Sequence, residues 1–301
     1  MRRPLHPLRV ALLAGAALAG AACGRGEAPD AGKPRVVSVS KQINEFLYAM
    51  GAQDVLVARD LTSIYPPAIR QLPSVGYHRA LSADGIISVK PTLFLTDGNV
   101  GPDAVLDQLR TVGIPILLLK PGSTPDSAEA LLARLGREFH RERAADSVLA
   151  EWRRGMERVR ADSARLAAVD PRARPRVLVM HFGQLVNDYL AVGRGGPADR
   201  MIAWAGGVNA IDSAGGMTRL TPELIAKAAP DVIIATDVGF DRVGSVEKFA
   251  ALPGVSLTPA AKSGRIHRID ETEIMYFGPR TPAAARVIAS WLHAEGAAAS
   301  H

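Results

Sequence analysis

The chain alternates between short apolar segments rich in β-branched residues and longer stretches with helical spacing, and this alternation limits its fold more than any other feature. Segments in the repeating order strand, helix, strand form parallel sheets covered by helices. We therefore expect an α/β protein. The predicted strands are Arg35–Val39, Val55–Val57, Leu93–Thr96, Ile116–Leu119, Arg176–Met180, Val232–Thr236 and Arg265–Ile269, and predicted helices include Asn44–Met50, Pro102–Thr111 and Ala198–Ala205.

A long helical stretch divides the predicted strands into two sets. After Pro125 and up to Ala168 the only glycines or prolines are Gly136 and Gly155, and Ala, Leu, Arg and Glu recur at helical spacing. A continuous helix of this length would extend about 60 Å, more than one lobe needs. Since 301 residues suit two compact units, we expect central parallel sheets in an N-terminal lobe (35–124) and a C-terminal lobe (171–301), joined by one connecting helix (125–170).

The N-terminus resembles an export signal. Residues 1–9 are basic, Val10–Ala22 are small and apolar, and Cys23 follows. The apolar run is too short to span a bilayer, so residues 1–22 are predicted to be a cleaved signal peptide and residues 23–34 a polar tether. Two outcomes remain open: Cys23 is lipidated and anchors the chain to a membrane, or an ordinary signal peptidase releases a soluble periplasmic protein. A lone cysteine forms no internal disulfide, and no zinc-ligand spacing is present.

The basic character of the chain does not indicate a nucleic-acid partner. The formal net charge is +6, and Arg2, Arg3 and Arg9 in the predicted signal peptide contribute half of it. Aromatic residues make up only 5% of the chain and do not alternate with basic residues, as stacking on single strands would require. We expect no nucleic acid among the partners.

A similar segment occurs once in each half. Residues 82–95 align with residues 221–234 without a gap: a Ser or Thr N-cap, an acid two residues later, a helical stretch, a proline and an apolar strand. The acids are Asp84 and Glu223. An acid in a first turn stabilises its helix by about 0.3–1 kcal/mol, which is a purely local explanation. Its repetition in both halves favours a symmetric docking surface.

Five segments together resemble a known family. The chain is similar to the periplasmic haem-binding proteins of ABC importers over residues 35–293, and the Gly-Tyr-x-Arg stretch is the most specific part. The resemblance implies two α/β lobes joined by a rigid helix, ferric haem b as the transported ligand, an ABC permease with its ATPase as partners, a periplasmic monomer and no enzymatic activity. The segments are Asn44-Glu-Phe-Leu-Tyr-Ala-Met-Gly51, Asp60-Leu-Thr-Ser-Ile-Tyr-Pro-Pro67, Leu72-Pro-Ser-Val-Gly-Tyr-His-Arg-Ala-Leu-Ser82, Ala205-Gly-Gly-Val-Asn209 and Phe277-Gly-Pro-Arg280.

The resemblance also implies roles for individual residues. Tyr77 matches the tyrosine that binds haem iron, and Arg79 matches the basic residue that supports it. Asp84 and Glu223 match the acids that enter arginine pockets of the permease, with Asp84 shorter than the usual Glu.

The chemistry of Tyr77 and Arg79 agrees with these roles. Tyrosinate is a known axial ligand of haem iron, and a phenol with a pKa of about 10 needs the metal and a nearby cation to ionise at neutral pH. In an extended segment Tyr77 and Arg79 would share a face while His78 points away, and Gly76 would permit an unusual turn. Spacing alone favours a half-buried loop tyrosine bonded to a backbone carbonyl, whereas the resemblance favours the iron ligand.

Three further residues are candidates for haem contact. His181 follows the apolar run 177–180, at the carboxyl end of a predicted strand, where open α/β sheets bind ligands. The alternative for His181 is a structural histidine bonded to a backbone carbonyl, and it is favoured because the family that the chain resembles does not uniformly place a histidine here. Tyr276 and Arg280 flank Phe277-Gly-Pro and are candidates for the porphyrin or its propionates, although Arg280 would equally serve to fix its loop.

Other functions remain as alternatives. The segment Gly193-Arg-Gly195-Gly-Pro-Ala198 loosely fits a dinucleotide-binding pattern, but Pro197 and the position late in the chain favour a plain turn. No nucleophile elbow or catalytic triad is evident. A receptor for a ferric siderophore or a corrinoid is the closer alternative, and the scarcity of aromatic residues counts against a corrinoid.

Overall fold

The computed structural model describes residues 33–168, 171–182, 189–213 and 215–294. The predicted signal peptide, Cys23 and nearly all of the tether lie outside these residues. None of the described helices is both long enough and apolar enough to cross a membrane.

The first sheet is entirely parallel. Its four strands stand in the order β2-β1-β3-β4, so the chain crosses over through helices between neighbours. Valines, leucines and Phe94 fill the centre of this sheet and are buried, as expected for strands covered on both faces. The strands are β1 (Val36–Ser38), β2 (Leu56–Arg59), β3 (Leu93–Thr96) and β4 (Ile116–Leu118), and the helices among them are α1 (Lys41–Ala49), α2 (Ala83–Ser88) and α3 (Ala104–Thr111).

The second sheet is mixed: the three strands predicted for this lobe form its parallel part, and antiparallel strands that were not predicted extend it on one side. Strands β10, β9 and β5 are parallel neighbours, but β6 is antiparallel to both β5 and β8, and β7 pairs with β5 off the main path. An antiparallel edge on an otherwise parallel sheet is common. The strands are β5 (Arg176–Phe182), β6 (Tyr189–Val192), β7 (Val208–Asn209), β8 (Met217–Arg219), β9 (Val232–Thr236) and β10 (Ile266–Ile269).

The predicted single helix over 125–170 is wrong: this segment forms two helices, α4 (Pro125–Glu138) and α5 (Glu142–Ala167). The chain turns at His140, whose φ is +52°, and α4 folds back antiparallel on α5. Gly136 makes the close approach possible, because a Cβ there would lie 2.7 Å from the Ala145 Cβ. Helix α4 packs on α1 of the first lobe, while α5 packs on α6 (Pro197–Trp204) and α12 (Thr281–His293) of the second.

A continuous apolar core links the two sheets. One cluster of buried side chains runs from β1 and α1 through α4 and α5 to β5, β9 and α12, and each lobe has a smaller cluster of its own. Trp152 of α5 lies in this shared core and donates its Nε1 hydrogen to the Gly278 carbonyl over 2.9 Å. The remaining helices are α7 (Pro222–Ala228), α8 (Asp237–Val243), α9 (Val246–Ala250), α10 (Pro259–Lys262) and α11 (Glu271–Met275).

Candidate functional site

A cavity of about 820 Å³ lies between the two sheets, at the carboxyl ends of their parallel strands. Val39 follows β1 and Asp97 follows β3 on one side, while Val238 follows β9 and Glu271 follows β10 on the other. Each lobe therefore contributes the edge of its sheet where ligands are expected. Four of the five predicted haem-contact residues, Tyr77, Arg79, His181 and Tyr276, line this cavity.

Tyr77 lies in a tight turn at the cavity. Its carbonyl accepts a hydrogen bond of 2.7 Å from the Ala80 amide, and its ring is partly buried. Gly76 has a φ of +101°, which confirms the predicted unusual turn before Tyr77. This backbone conformation places the phenol among the cavity-lining side chains.

The expectation that His78 points away from the cavity is wrong. Residues 77–80 turn instead of running extended, so alternation of side chains does not apply, and His78 also lines the cavity. Its ring packs against the Tyr77 ring with centroids 4.6 Å apart. His78 Nδ1 lies 3.5 Å from the buried Asp60 carboxylate.

Asp60 is an ionised group beneath this turn. Burial raises the pKa of its carboxyl, but hydrogen bonds from His78, Ser63 and Thr62 outweigh burial and hold that pKa below its usual value. The segment Asp60-Leu-Thr-Ser63 therefore supplies a fixed negative charge behind the cavity wall.

Arg79 projects from the same turn toward solvent and the second lobe. Its Nε donates to Asn99 Oδ1 over 3.1 Å. Its charge acts on His181 and Tyr276 across the cavity and lowers the pKa of each, although other influences on these two groups are larger. Arg79 therefore lines the cavity from the first lobe, and its positive charge reaches His181 and Tyr276 of the second lobe.

His181 and Tyr276 come from the second lobe. His181 Nδ1 lies 3.2 Å from the Thr236 hydroxyl, which replaces the expected backbone carbonyl as its partner, and burial lowers the pKa of the imidazole. Burial, with the nearby carboxylates of Glu271 and Asp97, raises the pKa of the Tyr276 phenol well above its usual value. Both side chains are therefore neutral at neutral pH.

Arg280 does not line the cavity, which corrects its assignment to haem contact. It bonds Glu45 of α1 over 2.9 Å and also lies within 3.3 Å of Asp270 and 2.9 Å of Glu273. Its guanidinium stacks 3.7 Å above the Tyr65 ring. Its pairs with Asp270 and Glu273 lie within its own lobe, as the loop-fixing alternative expected. Its pair with Glu45 also ties the second lobe to the first, and this distant partner has no local sequence signal.

A second ion pair joins the lobes at the cavity itself. Lys41 Nζ lies 2.6 Å from Glu271 Oε2, and both residues line the cavity. Burial lowers the pKa of Lys41, but the Glu271 carboxylate outweighs it and raises that pKa. Next to this pair, Gln42 Nε2 donates to the Phe277 carbonyl over 2.6 Å. We call these contacts, together with those of Arg280, the interlobe seam.

Several residues that line the cavity were not predicted from the sequence. Lys41, Asp97 and Glu271 lie one or two residues after predicted strands, so the carboxyl-edge rule applied to every strand would have found them. Two residues in the apolar wall of the second lobe, Leu190 and Met217, had no such signal, because the antiparallel strands β6 and β8 that carry them were not predicted. This wall consists of Phe182, Leu190, Met217, Val238 and Met275.

The two predicted docking acids lie on the protein surface at the starts of two helices. Asp84 and Glu223 are both exposed and lie in the first turns of α2 and α7. Hydrogen bonding from Thr221, the N-cap of α7, lowers the pKa of Glu223. The repeated segments thus form matching helix starts, each followed by a buried strand, as the alignment of the two halves predicted.

The fold and the cavity define a two-lobed solute-binding protein, with its ligand site where two α/β lobes face each other. Residues 36–273 match the family described as periplasmic binding protein, and the chain belongs to that family. This family consists of solute-binding proteins of the periplasm. The predicted two-lobed α/β fold is confirmed.

Solved structures with similar folds include two periplasmic haem-binding proteins. RhuT from Roseiflexus sp. RS-1 is 30% identical, with 87% of this chain and 99% of that chain aligned at a TM-score of 0.79. BhuT in complex with two haems is 31% identical, with 87% of this chain and 100% of that chain aligned at a TM-score of 0.76. The vitamin B12-binding protein of Photorhabdus laumondii is 36% identical over 97 residues, and that match spans only 35% of its length.

Proposed function

We propose that this protein captures ferric haem in the cavity between its lobes and delivers it to an ABC permease. The observation that carries the proposal is the position of Tyr77, a phenol at the cavity with Arg79 in the same turn. The two haem-binding proteins of similar fold support this ligand class. Haem is the cargo here, and we assign the chain no catalytic role.

Tyr77 supplies the chemistry that ferric iron prefers. As a phenolate it is a hard anionic oxygen ligand, and the Arg79 guanidinium in the same turn stabilises that anion. His181 and Tyr276 face the cavity from the opposite lobe and offer polar contacts there.

The wall opposite Tyr77 suits a macrocycle. Met217 and Val238 line the cavity with about half of each side chain exposed, at 43% and 51%. Covering such apolar surface with a porphyrin face would contribute about 25 cal/mol per Å². Arg242 also lines this side of the cavity and is exposed to solvent, so its guanidinium could pair with a propionate carboxylate of the haem.

A corrinoid is the second candidate ligand, and a ferric siderophore is the third. The partial similarity to vitamin B12-binding proteins favours the corrinoid over the siderophore. Haem iron takes an axial ligand from the protein, whereas both axial positions of the cobalt in cyanocobalamin are already filled, so Tyr77 would be dispensable for a corrinoid. Replacing the phenol therefore separates the candidates.

The test is a titration of the purified receptor with ferric haem and, separately, with cyanocobalamin. We expect haem to give a tyrosinate-type absorption spectrum, which Tyr77→Phe abolishes while weakening affinity tenfold or more (about 1.4 kcal/mol). Tyr48→Phe, a partly buried tyrosine of α1 outside the cavity lining, is the matched control and should leave both unchanged. Retention of the spectrum in Tyr77→Phe, or tighter binding of cyanocobalamin, would contradict the proposal.

Delivery requires a surface that the permease recognises. We assign this role to Asp84 and Glu223, since both are exposed at equivalent helix starts. Charge reversal at both positions should abolish haem uptake by cells and leave haem affinity in solution unchanged. Loss of affinity in the double variant would refute this separation of roles.

The remaining proposals concern export and organisation. Residues 1–22 act as the signal peptide and residues 23–34 as the tether, with lipidation of Cys23 as the route to membrane anchoring. The lobes comprise 35–124 and 171–301, and the receptor acts as a monomer. Mass spectrometry of the mature N-terminus distinguishes a lipidated Cys23 from a free terminus.

A further inference from the structure

A chain of polar contacts leads from the protein interior to Arg79. It begins at Asp60, whose side chain is 1% exposed. One carboxylate oxygen accepts from the Ser63 hydroxyl, and the other accepts from the Thr62 amide over 2.9 Å and from the Thr62 hydroxyl. Four protein groups therefore hold this carboxylate in place, His78 included.

His78 is the middle of the chain, and both of its ring nitrogens are engaged. Nδ1 lies 3.3 Å from Thr62 Oγ1 and 3.5 Å from Asp60 Oδ2, and Nε2 lies 3.3 Å from Asn99 Nδ2. An amide nitrogen only donates, so Nε2 is the acceptor and Nδ1 carries the ring proton. This tautomer, assigned from the hydrogen-bond network, directs the Nδ1 hydrogen toward Asp60 and Thr62.

Asn99 connects His78 to Arg79. With Nδ2 turned to His78, the other amide atom, Oδ1, accepts from Arg79 Nε over 3.1 Å. The loop that carries Asn99 is fastened to the same turn, because the Gly101 amide donates to the His78 carbonyl over 2.9 Å. Asn99 thus lies between two side chains and cannot flip its amide without losing both contacts.

We propose that His78 is a positioning residue which, through Asn99, holds the Arg79 guanidinium at the cavity before the ligand arrives. The inference concerns the empty receptor, and its effect on haem rests on the proposed function. An ordered arginine loses less freedom when the ligand binds, so binding to the ordered site is tighter. Releasing one such side chain should speed haem dissociation about three- to tenfold.

The first test uses the haem-free receptor. In nitrogen-edited NMR we expect the Arg79 Nε hydrogen to be slowed in exchange with water in the wild type, and His78→Leu should remove this protection. His140→Asn, which replaces an exposed histidine where α4 meets α5, is the control and should preserve it. An unprotected Arg79 signal in the wild type, or protection that survives His78→Leu, overturns the proposal.

The second test asks whether His78 acts through Arg79. Haem dissociation is measured for His78→Leu, Arg79→Ala and the double variant. The His78 substitution should speed dissociation three- to tenfold alone and less than twofold when Arg79 is already absent. An equal effect in both backgrounds overturns the proposal. A wild type without a tyrosinate spectrum would instead refute haem binding, and the haem-free test would still decide the role of His78.

Discussion

The interlobe seam offers the sharpest test of how the two halves are held together. Arg280 is its central cation, and three carboxylates of both lobes surround it: Glu45, Asp270 and Glu273. The Glu45 side chain is only 4% exposed, against 17% for Arg280. Arg280→Met keeps an unbranched apolar stem and removes the charged guanidinium, which leaves a buried carboxylate without its cation.

The expected loss follows from the burial of this pair. Removing one partner of a buried ion pair costs about 3–5 kcal/mol, and the partial exposure of Arg280 favours the lower end, about 3 kcal/mol. Urea unfolding of the ligand-free receptor measures this free energy. Arg268→Met is the matched control, since its pair with Asp241 is half exposed at 45% and 56%, and it should cost less than about 1 kcal/mol.

A second variant separates charge from packing. Glu45→Gln combined with Arg280→Met removes the uncompensated charge, so the double variant should be more stable than Arg280→Met alone. An Arg280→Met variant within 1 kcal/mol of the wild type, or a double variant without recovery, would refute the argument.

The loss should also depend on pH. Burial raises the pKa of Glu45, and Arg280 partly opposes this effect. Without Arg280 the folded-state pKa of Glu45 rises further above the unfolded value of about 4.3. A carboxyl with a raised folded-state pKa stabilises the fold as pH falls, because the folded protein takes up the proton first. The deficit of Arg280→Met should therefore shrink between neutral pH and about pH 5.

Three further predictions concern stability. Trp152→Phe removes the donor to the buried Gly278 carbonyl and should cost about 1–3 kcal/mol in urea unfolding. Gly239→Ala places a Cβ 1.5 Å from Phe182 Cδ2, so it should cost about 1–3 kcal/mol and displace part of the cavity wall, measured by thermal unfolding and haem affinity. Asp60→Asn should be less stable than the wild type at neutral pH. Because the pKa of Asp60 is lowered in the folded state, the ionised carboxylate stabilises the fold above about pH 4, and this stabilisation is lost as pH falls through the folded-state pKa. Unfolding at several pH values measures this dependence.

Each of these substitutions has a control, which is a second variant for Trp152 and Gly239 and a pH series for Asp60. Trp204→Phe removes an indole from a partly buried site and should cost less than Trp152→Phe, and equal losses would contradict the role of the hydrogen bond. Gly196→Ala meets no atom within 4 Å at a φ of −91° and should be neutral, so an equal loss there would contradict the steric argument. For Asp60→Asn, a deficit that stays constant as the solution is acidified would contradict the assigned ionisation.

Much of the fold was predictable because it depends on local patterns. The seven predicted strands all form, and Gly76 adopts its positive φ, since β-branched runs and an isolated glycine act over a few residues. The break between α4 and α5 was not predictable in this way. No proline or glycine stands at His140, and the turn depends on α4 packing against α5 through Gly136.

In the site, too, features that depend on local sequence were predicted, and features that depend on distant contacts were not. Tyr77 and Arg79 follow from a short motif, and His181 follows from the end of an apolar strand. The orientation of His78 depends on its contact with Asp60. Asp60 is not a local neighbour in the chain, so the sequence pattern around His78 gave no sign of this contact and predicted an extended segment. Arg280 was misassigned because its partner Glu45 lies 235 residues away, a distance that no local pattern spans.

The apolar core that passes without interruption from one half to the other has a consequence for transport. Halves that share one hydrophobic interior swing apart only by exposing it to water, so we expect the empty and the filled receptor to have nearly the same outline. A membrane transporter that meets both forms must then distinguish them by the bound ligand at the opening of the cavity, and not by a difference in the conformation of the receptor.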